Sequence, residues 1–224
     1  MQNQPIFGSQ TQSTESVLAT NKVLRNTYLL LSATLLFSAM TASVAMAMEI
    51  SRGTSLMLSL IGLGLIFAVH KTADSSKGLV MIFAFTGVLG AALGPMLNYY
   101  LSLANGPSLV MQALGGTALV FFTLSGYALT TRKDFSFMGG FLMVGLVVVV
   151  IAGLANLFFQ VPALSLAISS AVVLIMSGLI LFDTSRIVNG GETNYIRATV
   201  ALYLNIYNLF TSLLHLLGIF GGDD

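Results

Sequence analysis

The chain predicts an all-α membrane protein with seven transmembrane helices, and three observations carry that expectation. Of its 224 residues 56% are hydrophobic and only 8% charged, where a soluble domain carries about a quarter. Apolar stretches near the roughly 20 residues that a bilayer-spanning helix needs recur along it, and hydropathy separates seven of them. With seven spans, eight of the nine Lys and Arg residues fall on one side of the membrane.

Each element follows from its own residues. The first span, Thr27–Met48, follows Lys22 and Arg25 and ends near Ala45-Met46-Ala47, a pattern that evokes a cleavable signal. The apolar run outlasts the usual signal core of about 7–15 residues, so it is expected to remain as a span. The second, Leu56–Val69, is short, and charge argues for it: without it Lys71, Lys77, Arg132 and Lys133 fall on opposite or mixed sides. The third, Leu79–Leu101, carries Gly87, Gly90, Ala91 and Gly94, small residues that let membrane helices approach closely. Pro95 should kink it near its outer end. Tight packing is its expected role; the sharper alternative is a broken helix lining a cavity.

The fourth to seventh spans are Leu109–Leu129, Met138–Phe159, Ala163–Phe182 and Ile196–Ile219. Short connections at Asn105-Gly106-Pro107 and Gln160-Val161-Pro162 make spans three and four, and five and six, antiparallel neighbours. Counting basic residues places the N-terminus in the cytoplasm and the C-terminus, with Asp223-Asp224, outside. Residues 1–25 are then a polar, flexible cytosolic tail with too few apolar groups to fold alone, and residues 26–224 form the transmembrane domain.

Several chemistries lack their parts. There is no cysteine, hence no thiolate metal site or thiol catalysis. The last span has no lysine for a retinal Schiff base, and neither HExxH nor Gly-x-Ser-x-Gly occurs. Asp183 is the one acidic residue at membrane depth, so a pair of intramembrane catalytic aspartates cannot form. The chain is read as a non-enzyme that needs no cofactor and no resident metal. The net charge of +1 says nothing about partners, and no nucleic acid is expected.

The informative residues lie between Leu181 and His215. Asp183 closes the apolar run Ile175–Phe182 at the inner end of span six, where the helix dipole disfavours an anion. It therefore wants a specific partner, with Arg197, His70 and Lys71 as candidates. On the last span Ala198, Ala201, Asn205, Asn208, Ser212 and His215 recur three or four residues apart and share a face. Leu202, Leu209, Leu213 and Leu216 lie opposite. A polar stripe of that length cannot face lipid, so the last span must be largely enclosed by the others or line a wet path. Asp183 and Asn205, counted from the same inner face, could meet. Interhelical hydrogen bonding and an ion path both remain open for the stripe. Glu192 and Thr193 are the expected caps of the last helix, and His215, with no second ligand at a recognisable spacing, reads as an interhelical donor.

Four segments carry a resemblance: Val23–Tyr28 (VLRNTY); Ala84–Gly87 (AFTG) with Leu93-Gly94-Pro95; Leu129–Asp134 (LTTRKD); and Gly190–Thr199 (GGETNYIRAT). From about Val23 onward the chain resembles the Bax inhibitor superfamily, and more narrowly its proteobacterial branch. The resemblance implies a seven-helix fold whose last helix is wrapped by the other six. It also implies a bacterial inner-membrane protein that modulates the membrane-anchored AAA+ protease FtsH, with prohibitin-like proteins nearby. Met1 to Lys22 would then be the grip for the unfoldase, and the packed body a slowly degraded competitor of other membrane substrates. Other members are pH-gated calcium leaks that use two aspartates on the last two helices; Asp183 matches the first, while the second falls on Asn205. A proton-sharing pair needs two carboxylates, so this chain departs from that pattern, and a calcium or cation leak is the alternative function. A transporter ranks below both, because no paired broken helices recur in inverted repeats.

Overall fold

The computed structural model describes residues 7–221, all of whose regular elements are helical. They are α1 (Phe7–Ala47), α2 (Arg52–Thr72), α3 (Lys77–Ala92), α4 (Gly94–Leu101), α5 (Gly106–Thr131), a single 3₁₀ turn (Ser136–Met138), α6 (Gly139–Phe159), α7 (Pro162–Val188) and α8 (Tyr195–Phe220). Seven helical stretches are long and apolar enough to cross a membrane, α3 and α4 together making the third. The protein is a seven-span, all-α membrane protein.

Local chemistry sets the boundaries. Ser51 caps α2, its Oγ accepting from the Thr54 N–H at 3.1 Å. Pro107 and Pro162 lie in the first turns of α5 and α7, where the missing N–H costs no helical bond. At the far ends of α5 and α6, Arg132 and Gln160 take left-handed backbone with φ of 50° each and close the helices without glycine. Pro95 acts as its chemistry requires. The third span breaks at Leu93, between α3 and α4, and the Ser55 hydroxyl on α2 donates to the Ala92 carbonyl at the break.

Two helices overrun the ends that hydropathy suggests. α7 continues through Asp183 to Val188, because Thr184, Ser185 and Arg186 lower hydropathy without ending a helix. Asp183 therefore lies inside α7 rather than at its terminus. α1 begins at Phe7, about five turns ahead of Thr27; Met1 to Ile6 of the expected grip segment, like Asp223 and Asp224, lie outside the described residues.

α8 runs through the middle. Ile196, Tyr203 and Leu214, opposite Asn205 around the helix, are at most 1% exposed. Leu202 and Leu209, three and four residues from Asn205 and so on its own side rather than opposite, are 0% exposed; α8 is enclosed on every face. Its neighbours are α1, α2, α3, α5 and α7. α6 stands outside this ring, packed on α7. Its sequence explains the place: it is the most apolar span and buries little, with Phe141, Val148 and Phe158 turned outward. Against the expectation of six wrapping helices, five spans surround the last one. α3 closes on α1 at Gly90, where any Cβ would run into the Ser38 carbonyl and the Ser38 and Thr41 hydroxyls.

Candidate functional site

The Asp183 carboxylate meets the Asn205 amide. Asn205 Nδ2 donates to Asp183 Oδ2 at 2.7 Å, tying the last turns of α7 to the second and third turns of α8. Asn205 is 5% exposed and Asp183 is partly buried. The basic candidates turn elsewhere. Arg197 pairs with Asp74 in the α2–α3 connection. His70 is exposed, with Nδ1 against the Ile66 carbonyl of its own helix at 2.9 Å, and Lys71 is exposed as well. Arg186, one turn after Asp183, lies 3.8 Å from Glu192 and over the Phe182 ring.

The polar stripe of α8 thus divides. Asn208 is half-buried and donates to the Leu204 carbonyl of its own helix at 2.8 Å, so it links no neighbouring helix. His215 does link helices, with Nε2 2.9 Å from Ser165 Oγ on α7 and Nδ1 3.3 Å from the Tyr100 hydroxyl on α4. Deeper in the bundle Tyr203, 1% exposed, places its hydroxyl 2.7 Å from Ser38 Oγ and donates to the Thr86 carbonyl at 3.2 Å. One side chain joins α1, α3 and α8. Hydropathy hides it, since tyrosine counts as neither clearly polar nor clearly apolar; its mid-helix place beside Asn205 was the available signal.

The basic end of the bundle is held by a second polar cluster. Asn194, rather than Glu192 or Thr193, caps α8, accepting from the Ile196 and Arg197 N–H groups at 2.9 and 3.1 Å. Its amide donates to Asp74 Oδ1 at 2.8 Å and to the Ala73 carbonyl at 3.0 Å. Glu192 instead accepts from the Asn194 N–H. Nearby, outside the spans, hydrogen bonds from the Ser136 hydroxyl and N–H hold the Asp134 carboxyl below the usual carboxylate range.

Among the described residues no three His, Asp, Glu or Cys side chains gather to hold a metal. One carboxylate against one amide can anchor a helix or accept a passing cation's charge, but it cannot share a proton as two carboxylates do. Its capacity is structural and electrostatic.

The chain is similar to known proteins over nearly all of its length. The family model for "Inhibitor of apoptosis-promoting Bax1" matches residues 20–222. A membrane protein of Vibrio cholerae is 54% identical over 99% of this chain and 100% of its own. "Modulator of FtsH protease YccA" from Escherichia coli K12 is 56% identical over 96% of this chain and 98% of its own. "Inner membrane protein YccA" from a second Escherichia coli strain, O6:H1, matches to the same extent.

Proposed function

The chain belongs to the Bax inhibitor family, and from that premise we propose that it sits in the bacterial inner membrane and modulates the protease FtsH. The observation that carries this is the end-to-end likeness to a relative named as a modulator of that protease. In this reading the basic end of the bundle faces the cytoplasm, as the distribution of Lys and Arg favours. Prohibitin-like membrane regulators belong to the same assembly.

The physical account is slow extraction. α1 runs past its span to Phe7 as a Gln-, Ser- and Thr-rich helix, a segment of weak helix propensity that an unfoldase can unwind and hold. Pulling on it loads α1 first. α1 is locked to α3 at Gly90 and to α8 through Ser38 and Tyr203, so the body resists while its tail occupies the protease. Other membrane substrates then wait.

The test removes the tail. Without residues 2–22 the helical body should still fold, FtsH should no longer degrade it, and crosslinking in native membranes should recover less protease. Equal half-lives for the truncated and full-length chains, both dependent on the protease, would show that the tail is not the grip. Failure of the full-length chain to crosslink to the protease would overturn the modulator function itself.

A further inference from the structure

The ring around α8 has a gap. α1 and α5 both pack on α8, but a cleft of about 460 Å³ separates them, floored by Tyr203, Ile206, Tyr207 and Phe210. On α1 it runs from Tyr28 to Ser43, about 22 Å of helix at 1.5 Å per residue. The walls open where side chains are small, at Ser32 and Ala39 on α1 and Ala118 on α5, all exposed. Leu36 and Leu119 beside the opening are exposed too, so the cleft faces the bilayer. Its volume lies in the range of about 300–1,000 Å³ typical of ligand sites.

The same two helix faces continue into a second cavity at the basic end. One and two turns below Tyr28 come Leu24 and Asn21 of α1; below Phe122 on α5 come Leu129 and Arg132; Asn189 closes the end. This mouth, about 290 Å³, is lined by polar and apolar groups alike, and no acidic side chain lines it. Lys22, Arg25 and Lys133, adjacent in sequence to residues that line it, are exposed, as is Asp134. Arg132 holds left-handed backbone there, with φ 50°, a conformation that Gly or Asn adopts at lower cost. Between cleft and mouth, the Tyr28 hydroxyl is buried without a hydrogen-bond partner, and such a group ordinarily finds one.

An apolar cleft open to lipid and a mouth lined by Arg132 beyond it complement the shape and charge of an acidic amphiphile. We infer that this cleft is a binding site for an anionic glycerophospholipid. One acyl chain lies over α8 between α1 and α5, past Tyr28, and the phosphate sits at Arg132. Basic pockets between helices at a membrane surface hold acidic head groups in this way.

The test uses full-length protein in neutral detergent, titrated with phosphatidylglycerol or with phosphatidylcholine, reading retained lipid by native mass spectrometry and the shift of the unfolding midpoint. Phosphatidylglycerol should bind preferentially and raise the midpoint. Arg132→Gln should weaken that preference about fivefold, the worth of one interfacial charge, and leave the lipid-free midpoint unchanged. Ala118→Trp should fill the cleft and abolish retention, while Leu36→Trp, on lipid-facing surface beside it, should not. Ala39→Trp serves the same purpose if Ala118→Trp does not fold. Equal binding of the two lipids, or equal retention by the cleft-filling variant and Leu36→Trp, would mean annular lipid only and overturn the site. Displacement of phosphatidylglycerol by a partner's membrane helix, with no preference among lipids, would overturn it in favour of a protein occupant.

Discussion

Replacing Asn205 by leucine isolates the contact that joins the last two helices. The substitution keeps the same branched skeleton but removes the donor 2.7 Å from Asp183 Oδ2. A hydrogen bond to a charged group contributes about 1.5–3 kcal/mol, and measured interhelical bonds in membranes fall lower, about 0.6–1.7 kcal/mol. A loss of about 1–2 kcal/mol is therefore expected, lowering the thermal midpoint in detergent by about 3–6 °C for a chain of this size. Asn208 is the internal control. Its amide donates to its own helix at the Leu204 carbonyl, so Asn208→Leu should cost under about 0.5 kcal/mol. The double substitution Asn205→Leu, Asp183→Leu should be less damaging than the sum of the two, because the cycle removes the pair together. Equal midpoints for the Asn205 and Asn208 variants, or strict additivity in the cycle, would refute the assignment.

Other outcomes follow from the same geometry. Leu209→Ala should cost about 2–5 kcal/mol, since Leu209 is 0% exposed in the main core. Asp74→Asn should cost no more than about 1 kcal/mol despite its two partners, because the pair is at the surface, and the loss should shrink in high salt. A reporter fused after Asp224 should be periplasmic and one in the Lys71–Lys77 connection cytoplasmic; an active cytoplasmic reporter at the C-terminus refutes the proposed orientation. Reconstituted wild-type protein should show little pH dependence in calcium flux, and Asn205→Asp, which restores a carboxylate pair able to share a proton, should gain it. Strong pH gating in the wild type, lost in Asp183→Asn, would make a leak the better account of the chain.

Hydropathy and charge suffice to find seven spans here because the bilayer imposes one period and one length on every element. Pro95 was legible for the same kind of reason: a missing N–H has the same consequence wherever it sits. The proximity of Asp183 and Asn205 was legible too, as two polar groups counted from the same end of consecutive antiparallel helices. What escaped depends on partners far away in sequence. Asp74 is one carboxylate in a polar loop, and only the docking of α2 and α3 against α8 makes it the partner of Asn194 and Arg197. Leu209 read as the outer side of an amphipathic helix, yet it lies four residues from Asn205 on the same side, in a helix buried all round. The upstream reach of α1 was hidden because Gln, Ser and Thr look alike to hydropathy in helix and in coil.

The enclosure of α8 also bears on how the protein is made. α8 is the least apolar of the seven spans and the last to leave the ribosome. A segment carrying Asn205, Asn208 and His215 partitions poorly into lipid by itself, so its entry depends on the five spans that surround it already standing as a hollow ring. Until then Ser38, Thr86 and Ser165 wait without the partners that α8 brings. Biogenesis thus has a late and decisive step, in which the twenty-six residues from Tyr195 to Phe220 slide into a prepared socket. A chain stalled just short of that step would present an open, unsatisfied interior to the membrane's own surveillance.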